Sequence, residues 1–291
     1  MPELPEVETT RRAIEPMLVG RRIARVDTTA SSYLFVTPPA RLRRALEGRT
    51  ARSLDRRGKY LIANLDDASR VLIHLGMTGQ LFGAGASSVR LLSASARASL
   101  APEQQVVFEP DAHTHLRLHF ADGGPPVYLR DVRKFGKLAW LAPGEGHARL
   151  ARLGPDALEL TGEALFAATR GRRVAIKALL LDQSVAAGIG NIYADEALFH
   201  ARVRPGRRAS RTTRRECDAI AASVRRVLLR SIETGGSSIS DYVAADGRDG
   251  AYQDERRVYA RAGAACYECG ATVKRVVVAQ RGTHYCPSCQ R

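Results

Sequence analysis

Four of the chain's five cysteines fall within its last 26 residues, as Cys266-Tyr-Glu-Cys269 and Cys286-Pro-Ser-Cys289 with sixteen residues between them. No other feature limits the local fold so sharply. Two such knuckles supply four thiolates, the donor set of a closed tetrahedral zinc site. The intervening VKRVVVAQRGTHY reads as two strands joined by a turn, so residues 263–291 are expected to form a β-hairpin zinc finger. A segment this short cannot bury enough apolar area to fold alone, so one structural Zn2+ has to supply folding free energy. Lys274, Arg275 and Arg281 sit on the hairpin, which leaves open both a purely structural finger and one that touches a polyanion. Cys217, far upstream, reads as an ordinary thiol rather than a ligand.

The rest of the chain changes grammar once. Residues 2–19 carry Leu4, Val7, Ile14, Met17 and Leu18 at helical spacing, with Pro2 and Pro5 suited to a first turn and Gly20 to a stop. Pro16 is expected to bend or end that helix. Strand-like stretches follow at 22–28, 60–65, 71–75, 116–120, 127–129 and 138–141, a succession that suggests a sandwich or barrel. Residues 83–105, small and polar, read as a surface loop. From about Pro155 the candidates are helices, at 162–169, 174–182, 192–199, 211–235 and 238–242. The 211–235 stretch sets Ile220, Val224, Val227, Leu228 and Ile232 on one face, opposite Arg214, Arg215, Arg225 and Arg226, which read as a solvated face. The expected organisation is an α+β chain: a β-sandwich with a flanking helix over 1–142, a linker over 143–155, a helical domain over 156–262 and the finger from 263.

Lys and Arg total 45 against 30 Asp and Glu, a net charge of +15. A charge that large normally has a polyanionic partner, nucleic acid first; an arginine-biased composition is the bland explanation. No apolar run reaches the length of a membrane span. The opening MPELPEVE lacks the basic-then-apolar pattern of an export signal, so the protein is expected in the cytoplasm, where clustered cysteines bind metal more often than they pair.

Removal of Met1 would expose the secondary amine of Pro2. An α-amino group has a pKa of roughly 8, so much of it is unprotonated near neutrality. Its attack on a sugar carbon gives an iminium ion, an electron sink that favours loss of a neighbouring proton and then of a phosphate. Glu3 is placed to act as general acid, and Glu6 and Glu8 add carboxylates nearby. Proline and acidic residues at a helix start are also ordinary capping chemistry, and the bare residues favour that reading.

The opening MPELPEVETTRR resembles the start of the formamidopyrimidine-DNA glycosylases. The resemblance continues through RRGKYL at 56–61, HLGMTG at 74–79, DVRKFG at 131–136, DQSVAAGIGNIYADEALF at 182–199 and AQRGTHYCPSCQR at 279–291, spanning nearly the whole chain in the family's order. It implies an N-terminal β-sandwich, a helix-two-turn-helix domain and a zinc finger. It implies a base-excision enzyme that removes 8-oxoguanine and ring-opened purines from double-stranded DNA and then performs β- and δ-elimination. By that resemblance Pro2 is the Schiff-base nucleophile, Glu3 the proton donor, Lys59 the lysine that assists β-elimination, and Arg281 the finger arginine that grips a phosphate. Asn191, His74, His113, Arg172 and Lys177 match positions near DNA or the lesion. Duplex stacking hides the target carbon, so the nucleotide must swing out. Met77, Arg133 and Phe135 match the three residues that fill the void, an apolar wedge plus a guanidinium. Core packing is the ordinary fate of such a Met and Phe. The family also implies one zinc on Cys266, Cys269, Cys286 and Cys289, a monomer, and a bacterial cytoplasm with nucleoid association.

Two relatives of this reading compete with it: an endonuclease VIII-like enzyme for oxidised pyrimidines, and a DNA-binding homologue without catalysis. Leu4 and the Met77, Arg133 and Phe135 set resemble the purine enzymes, since the sister group usually has glycine at the position of Leu4. Pro2, Glu3 and Lys59 are all present, which a non-catalytic homologue would not need. A ribosome- or RNA-associated zinc ribbon leaves the N-terminal half unexplained. Val132 and Lys134 depart from the family's usual Pro-Arg-Arg, the 83–105 loop is long, and DGRDGAYQ at 246–253 lies where a lesion-covering loop is expected.

Overall fold

Helix α1 (Leu4–Leu18) begins almost at the terminus because its first turn is satisfied locally. Glu3 is the N-cap and forms the reciprocal bonds of a capping box with Glu6, and Pro5 stands where no backbone N–H is needed. The helix runs two residues past Pro16, which lies in the last turn, where the missing N–H forfeits a single bond. Gly20, at φ +80°, then turns the chain.

The computed structural model describes residues 2–83, 110–238 and 250–291. The loop expected at 83–105 beyond Gly83, the helix expected at 238–242 beyond Ser238, and residues 246–249 lie outside these. The chain clusters into two compact units, residues 1–148 with 234–253, and residues 149–233 with 254–291.

In the first unit two four-stranded antiparallel sheets enclose the core. One has the order β1 (Ile23–Thr28), β6 (Thr114–Phe120), β7 (Val127–Asp131), β5 (Gly79–Gly83). The other runs β2 (Ala51–Arg57), β3 (Tyr60–Leu65), β4 (Arg70–His74), β8 (Lys137–Leu141). Alternation decides which side chains face inward: Leu61, Ala63 and Leu65 of β3 and Leu116, Leu118 and Phe120 of β6 are buried together with Val7, Ile14 and Leu18 of α1. Helix α2 (Pro39–Leu46) adds Leu42 and Leu46. Three elements are absent from the sequence reading. Helix α2 is two turns long and starts in a Pro-Pro pair; β2 is charged or polar apart from Ala51 and Leu54; β5 is bounded by glycines. Each is held by neighbours rather than by its own pattern.

The second unit packs α3 (Gly162–Thr169) and α5 (Asn191–His200) against α6 (Arg214–Glu233), with α4 (Ile176–Leu181) on α5 and the hairpin of β9 (Lys274–Val278) and β10 (Arg281–Tyr285) meeting α5 through β10. Single helical turns occupy Ala148–Ala151 and Tyr252–Glu255. The apolar stripe expected on α6 is buried and its four arginines are exposed. Ala279 and Gln280 both take positive φ, the backbone of a two-residue turn whose twist suits a hairpin. Among the described residues no helix is long and apolar enough to cross a membrane.

Candidate active site

At the N-terminus of α1, Pro2 and Glu3 are buried, and Glu3 N–H donates to Glu6 Oε2 at 2.8 Å. Glu6 Oε1 accepts Ser237 N–H at 2.9 Å, so this carboxylate ties two distant parts of the first unit together. Glu8 is a structural anion. Burial opposes its ionisation, but bonds from Arg11 and Arg12 and the charges of Arg11 and Arg56 outweigh that and hold it below the usual carboxylate range. The same residue brings α1 to the strands. Glu8 Oε2 accepts Arg56 Nε at 3.1 Å, and Arg56 donates to Gly58 O at 3.1 Å. Gly58 and Lys59 form the two-residue turn between β2 and β3. Lys59 is thereby fixed on the part of the sheet that α1 covers, with its side chain buried. Across the β3–β4 pairing Tyr60 opposes His74, their rings 4.8 Å apart. His74 Nδ1 accepts Gly76 N–H at 3.2 Å, which leads directly into the HLGMTG loop.

That loop and DVRKFG are built on one fully buried carboxylate, Asp131. Its Oδ1 accepts Thr78 Oγ1 at 2.6 Å and its Oδ2 accepts Gly136 N–H at 2.7 Å. Thr78 Oγ1 in turn accepts Arg133 N–H at 3.0 Å. The loops touch so closely that a Cβ on Gly76, at φ +63°, would lie 2.4 Å from Gly136 N. The consequence is one exposed cluster. Met77 is 39% and Phe135 46% accessible, against the core fate usual for both, and the Arg133 guanidinium lies 4.6 Å from the Phe135 ring centre. His113 is held at the base of this cluster, its carbonyl accepting Asp131 N–H at 2.9 Å. Beside it, burial pulls His115 below its ordinary range. The neutral ring donates from Nε2 to Asp131 O at 3.0 Å and accepts Thr29 Oγ1 at Nδ1, also at 3.0 Å.

In the second unit Arg172 is exposed, 3.7 Å from Asp182. Asn191 opens α5 and donates from Nδ2 to Gly282 O at 3.0 Å. Lys177, read from the sequence as a cation near DNA, is instead wholly buried, with Nζ 2.6 Å from Asp195 Oδ1. A charge sequestered this way is not offered to a phosphate. Glu196, next along α5, accepts the N–H groups of Arg257, Val258 and Tyr259 at 2.8–2.9 Å. Burial pushes its carboxyl above the usual range, against those three bonds.

The four finger sulfurs lie within 4.8 Å of one another, with Cys266–Cys289 at 3.9 Å and Cys269–Cys286 at 3.4 Å. Tetrahedral zinc with bonds of about 2.3 Å needs sulfurs about 3.8 Å apart, so the residues fit one structural zinc. Burial and the three neighbouring sulfurs push the Cys289 thiol up to about 12, a crowding that a divalent cation relieves. Cys217 is buried in α6, where desolvation raises it to about 11. Of the organising residues, Asp131, Thr78, Asp195 and Glu196 escaped the sequence reading. Their only signal is a polar side chain inside an otherwise apolar or glycine-rich motif.

Models of known families match three successive stretches: the formamidopyrimidine-DNA glycosylase N-terminal domain over residues 1–138, the H2TH domain of the same enzymes over 153–243, and a zinc finger found in FPG and IleRS over 265–291. With the mixed helix-and-sheet architecture above, that order of modules defines a DNA-repair glycosylase. A formamidopyrimidine-DNA glycosylase of Symbiobacterium thermophilum is 43% identical across the whole chain and 89% of its own length, and one of Magnetococcus marinus 39% across all of both. The crystal structure of the Thermus thermophilus MutM (Fpg) protein superposes with a TM-score of 0.81 at 38% identity, covering 99% of this chain and 98% of that one. A Lactococcus lactis Fpg variant bound to Fapy-dG-containing DNA gives 0.84 at 33%, covering all of both. The chain belongs to the formamidopyrimidine-DNA glycosylase family.

Proposed function

We propose that this protein excises 8-oxoguanine and ring-opened formamidopyrimidines from duplex DNA and then cuts the strand by β- and δ-elimination through a Schiff base on Pro2. The observation that carries the reading is the exposed Met77, Arg133 and Phe135 cluster. An enzyme that swings a nucleotide out of the stack needs such a wedge, and folding alone gains little by exposing two large apolar side chains. With Met1 removed, the Pro2 nitrogen forms a bond to the sugar carbon as the carbon–base bond breaks and the base departs with a proton. The carbon's bond to the sugar ring oxygen then opens, that oxygen taking a proton from Glu3, and the iminium so formed draws electrons, so the neighbouring proton and then the phosphates are lost. Glu3 donates the proton that this sequence requires, and Lys59 assists the first elimination from its turn beside α1. Arg133 reads the orphaned base edge while Met77 and Phe135 fill the gap. His74, His113, Arg172 and Asn191 hold the backbone, and Arg281 grips a phosphate. Zn2+ on Cys266, Cys269, Cys286 and Cys289 locks the two ends of the hairpin that carries Arg281. The working division is 1–142, 156–262 and 263–291 joined by 143–155, acting as a monomer in the cytoplasm of a bacterium, on nucleoid DNA.

Borohydride trapping tests the proposal. Duplexes carrying 8-oxoguanine, a ring-opened purine or an oxidised pyrimidine, each opposite cytosine or adenine or its natural partner, are incubated with the full chain. Covalent adducts on the two purine lesions are expected. Adducts confined to the pyrimidine lesion would assign the endonuclease VIII-like activity instead, and strand cleavage without any adduct would remove Pro2 as nucleophile.

A further inference from the structure

Around Lys177 lies a set of buried polar groups, all within the second unit, that a DNA-contacting role leaves unexplained. Lys177 Nζ meets Asp195 Oδ1 at 2.6 Å with both side chains inaccessible. It also donates to Thr283 Oγ1 at 2.8 Å and to Gly282 O at 3.2 Å. Thr283 Oγ1 passes the connection on, donating to Arg281 O at 3.0 Å. Gly282 O takes a second bond, from Asn191 Nδ2. Asp195 Oδ2 accepts His284 N–H at 2.7 Å. Residues 282–284 are therefore held from α4 and α5 at three consecutive positions, and Thr283 extends that hold to Arg281. Arg281 itself is exposed at the end of the two-residue turn. Zinc fixes the hairpin at Cys269 and Cys286, and the far end, where Arg281 sits, is reached from the metal only through β9 and β10. A hairpin with five residues in each strand and β9 largely exposed has little packing of its own to hold that end still.

We propose that Lys177 and Asp195 form a positioning pair that acts through Thr283 to fix Arg281, so that Lys177 serves the reaction from inside the protein rather than at the DNA surface. This rests on the reading of Arg281 as the cation that grips a phosphate. A buried ion pair contributes little net stability, and its best-attested use is to hold one arrangement of the segments around it. Loss of one bond in the chain lets the guanidinium drift, and a displacement of about 1 Å in a group that orients a reacting phosphate costs up to about 100-fold in rate.

The test uses the full zinc-loaded chain and single-turnover cleavage of a duplex with one abasic site. Arg281→Ala, Thr283→Val, Thr283→Ser, Lys177→Met and the pair Thr283→Val/Arg281→Ala are compared, with zinc content measured for each. Thr283→Val keeps the shape and the ion pair but removes the hydroxyl relay, so it stays informative where Lys177→Met fails to fold. The expected result is that Arg281→Ala and Thr283→Val are each slowed by about tenfold or more. Thr283→Ser is expected to stay within about twofold of the parent, the pair to be no slower than Arg281→Ala alone, and zinc to remain at one per chain. Wild-type rates in Thr283→Val alongside a slow Arg281→Ala, or losses that multiply in the pair, would overturn the positioning role. A full-speed Arg281→Ala would instead sink the Arg281 assignment itself, and the inference with it.

Discussion

Asp131→Asn isolates the device that builds the wedge. Asp131 is fully buried and accepts from two donors on two loops, Thr78 Oγ1 and Gly136 N–H. Thr78 can reverse its role only by leaving its own hydrogen without an acceptor, since its oxygen accepts Arg133 N–H and would then accept the asparagine as well. An asparagine presents one acceptor and one donor, so in either orientation a buried hydrogen faces another donor or goes unpaired. That loss costs about 1–3 kcal/mol, and for a unit of this size each kcal/mol lowers the melting temperature by about 2–4 °C. At the middle of that range, about 2 kcal/mol, a fall of about 4–8 °C is expected. A second effect should accompany it that a distant destabilising change would not produce. The two loops carrying Met77, Arg133 and Phe135 separate, so excision of an intact damaged base slows more than cleavage at a preformed abasic site, where no base has to be evicted. Thermal unfolding followed by circular dichroism and single-turnover rates on the two duplexes measure both. An Asp131→Asn protein that melts with the parent and excises 8-oxoguanine at the parent rate would refute the reasoning.

Retaining Met1 should abolish borohydride-trappable adducts while duplex binding in a gel-shift assay changes little; parental cleavage by such a protein would exclude the terminal amine. Stripping zinc with a strong chelator should make Cys266, Cys269, Cys286 and Cys289 open to alkylation while Cys217, whose thiol burial pushes up to about 11, stays unmodified, as mass spectrometry can count. Glu8 gives a pH signature. Its folded-state pKa lies below the ordinary 4.5, so its contribution to stability is complete above 4.5 and is lost as pH falls through the lower folded value. The melting-temperature gap between the parent and Glu8→Gln should be full at pH 7 and close as pH falls below 4.5. A gap independent of pH would mean that the Arg11, Arg12 and Arg56 partners do not act through charge.

Periodicity and spacing decided most of the architecture in advance. The stripe on α6, the alternation of β3 and β6, the helix near the terminus and the paired cysteines all depend on near neighbours, and near neighbours are what a sequence records. Long and strongly patterned elements therefore emerged with their ends displaced by a few residues at most, while α2, β2 and β5, which owe their form to partners far along the chain, did not. The same division runs through the site. Pro2, Glu3, Lys59 and the wedge residues stood out by motif, but a motif cannot say whether a side chain faces water. Met77 and Phe135 are exposed because the buried Asp131 carboxylate satisfies both loops beneath them. Lys177 is hidden because Asp195 on the next helix and Thr283, far along the chain in the finger, satisfy it together. Burial of a charge depends on whether its partners can be assembled around it, and only the folded arrangement of remote segments settles that.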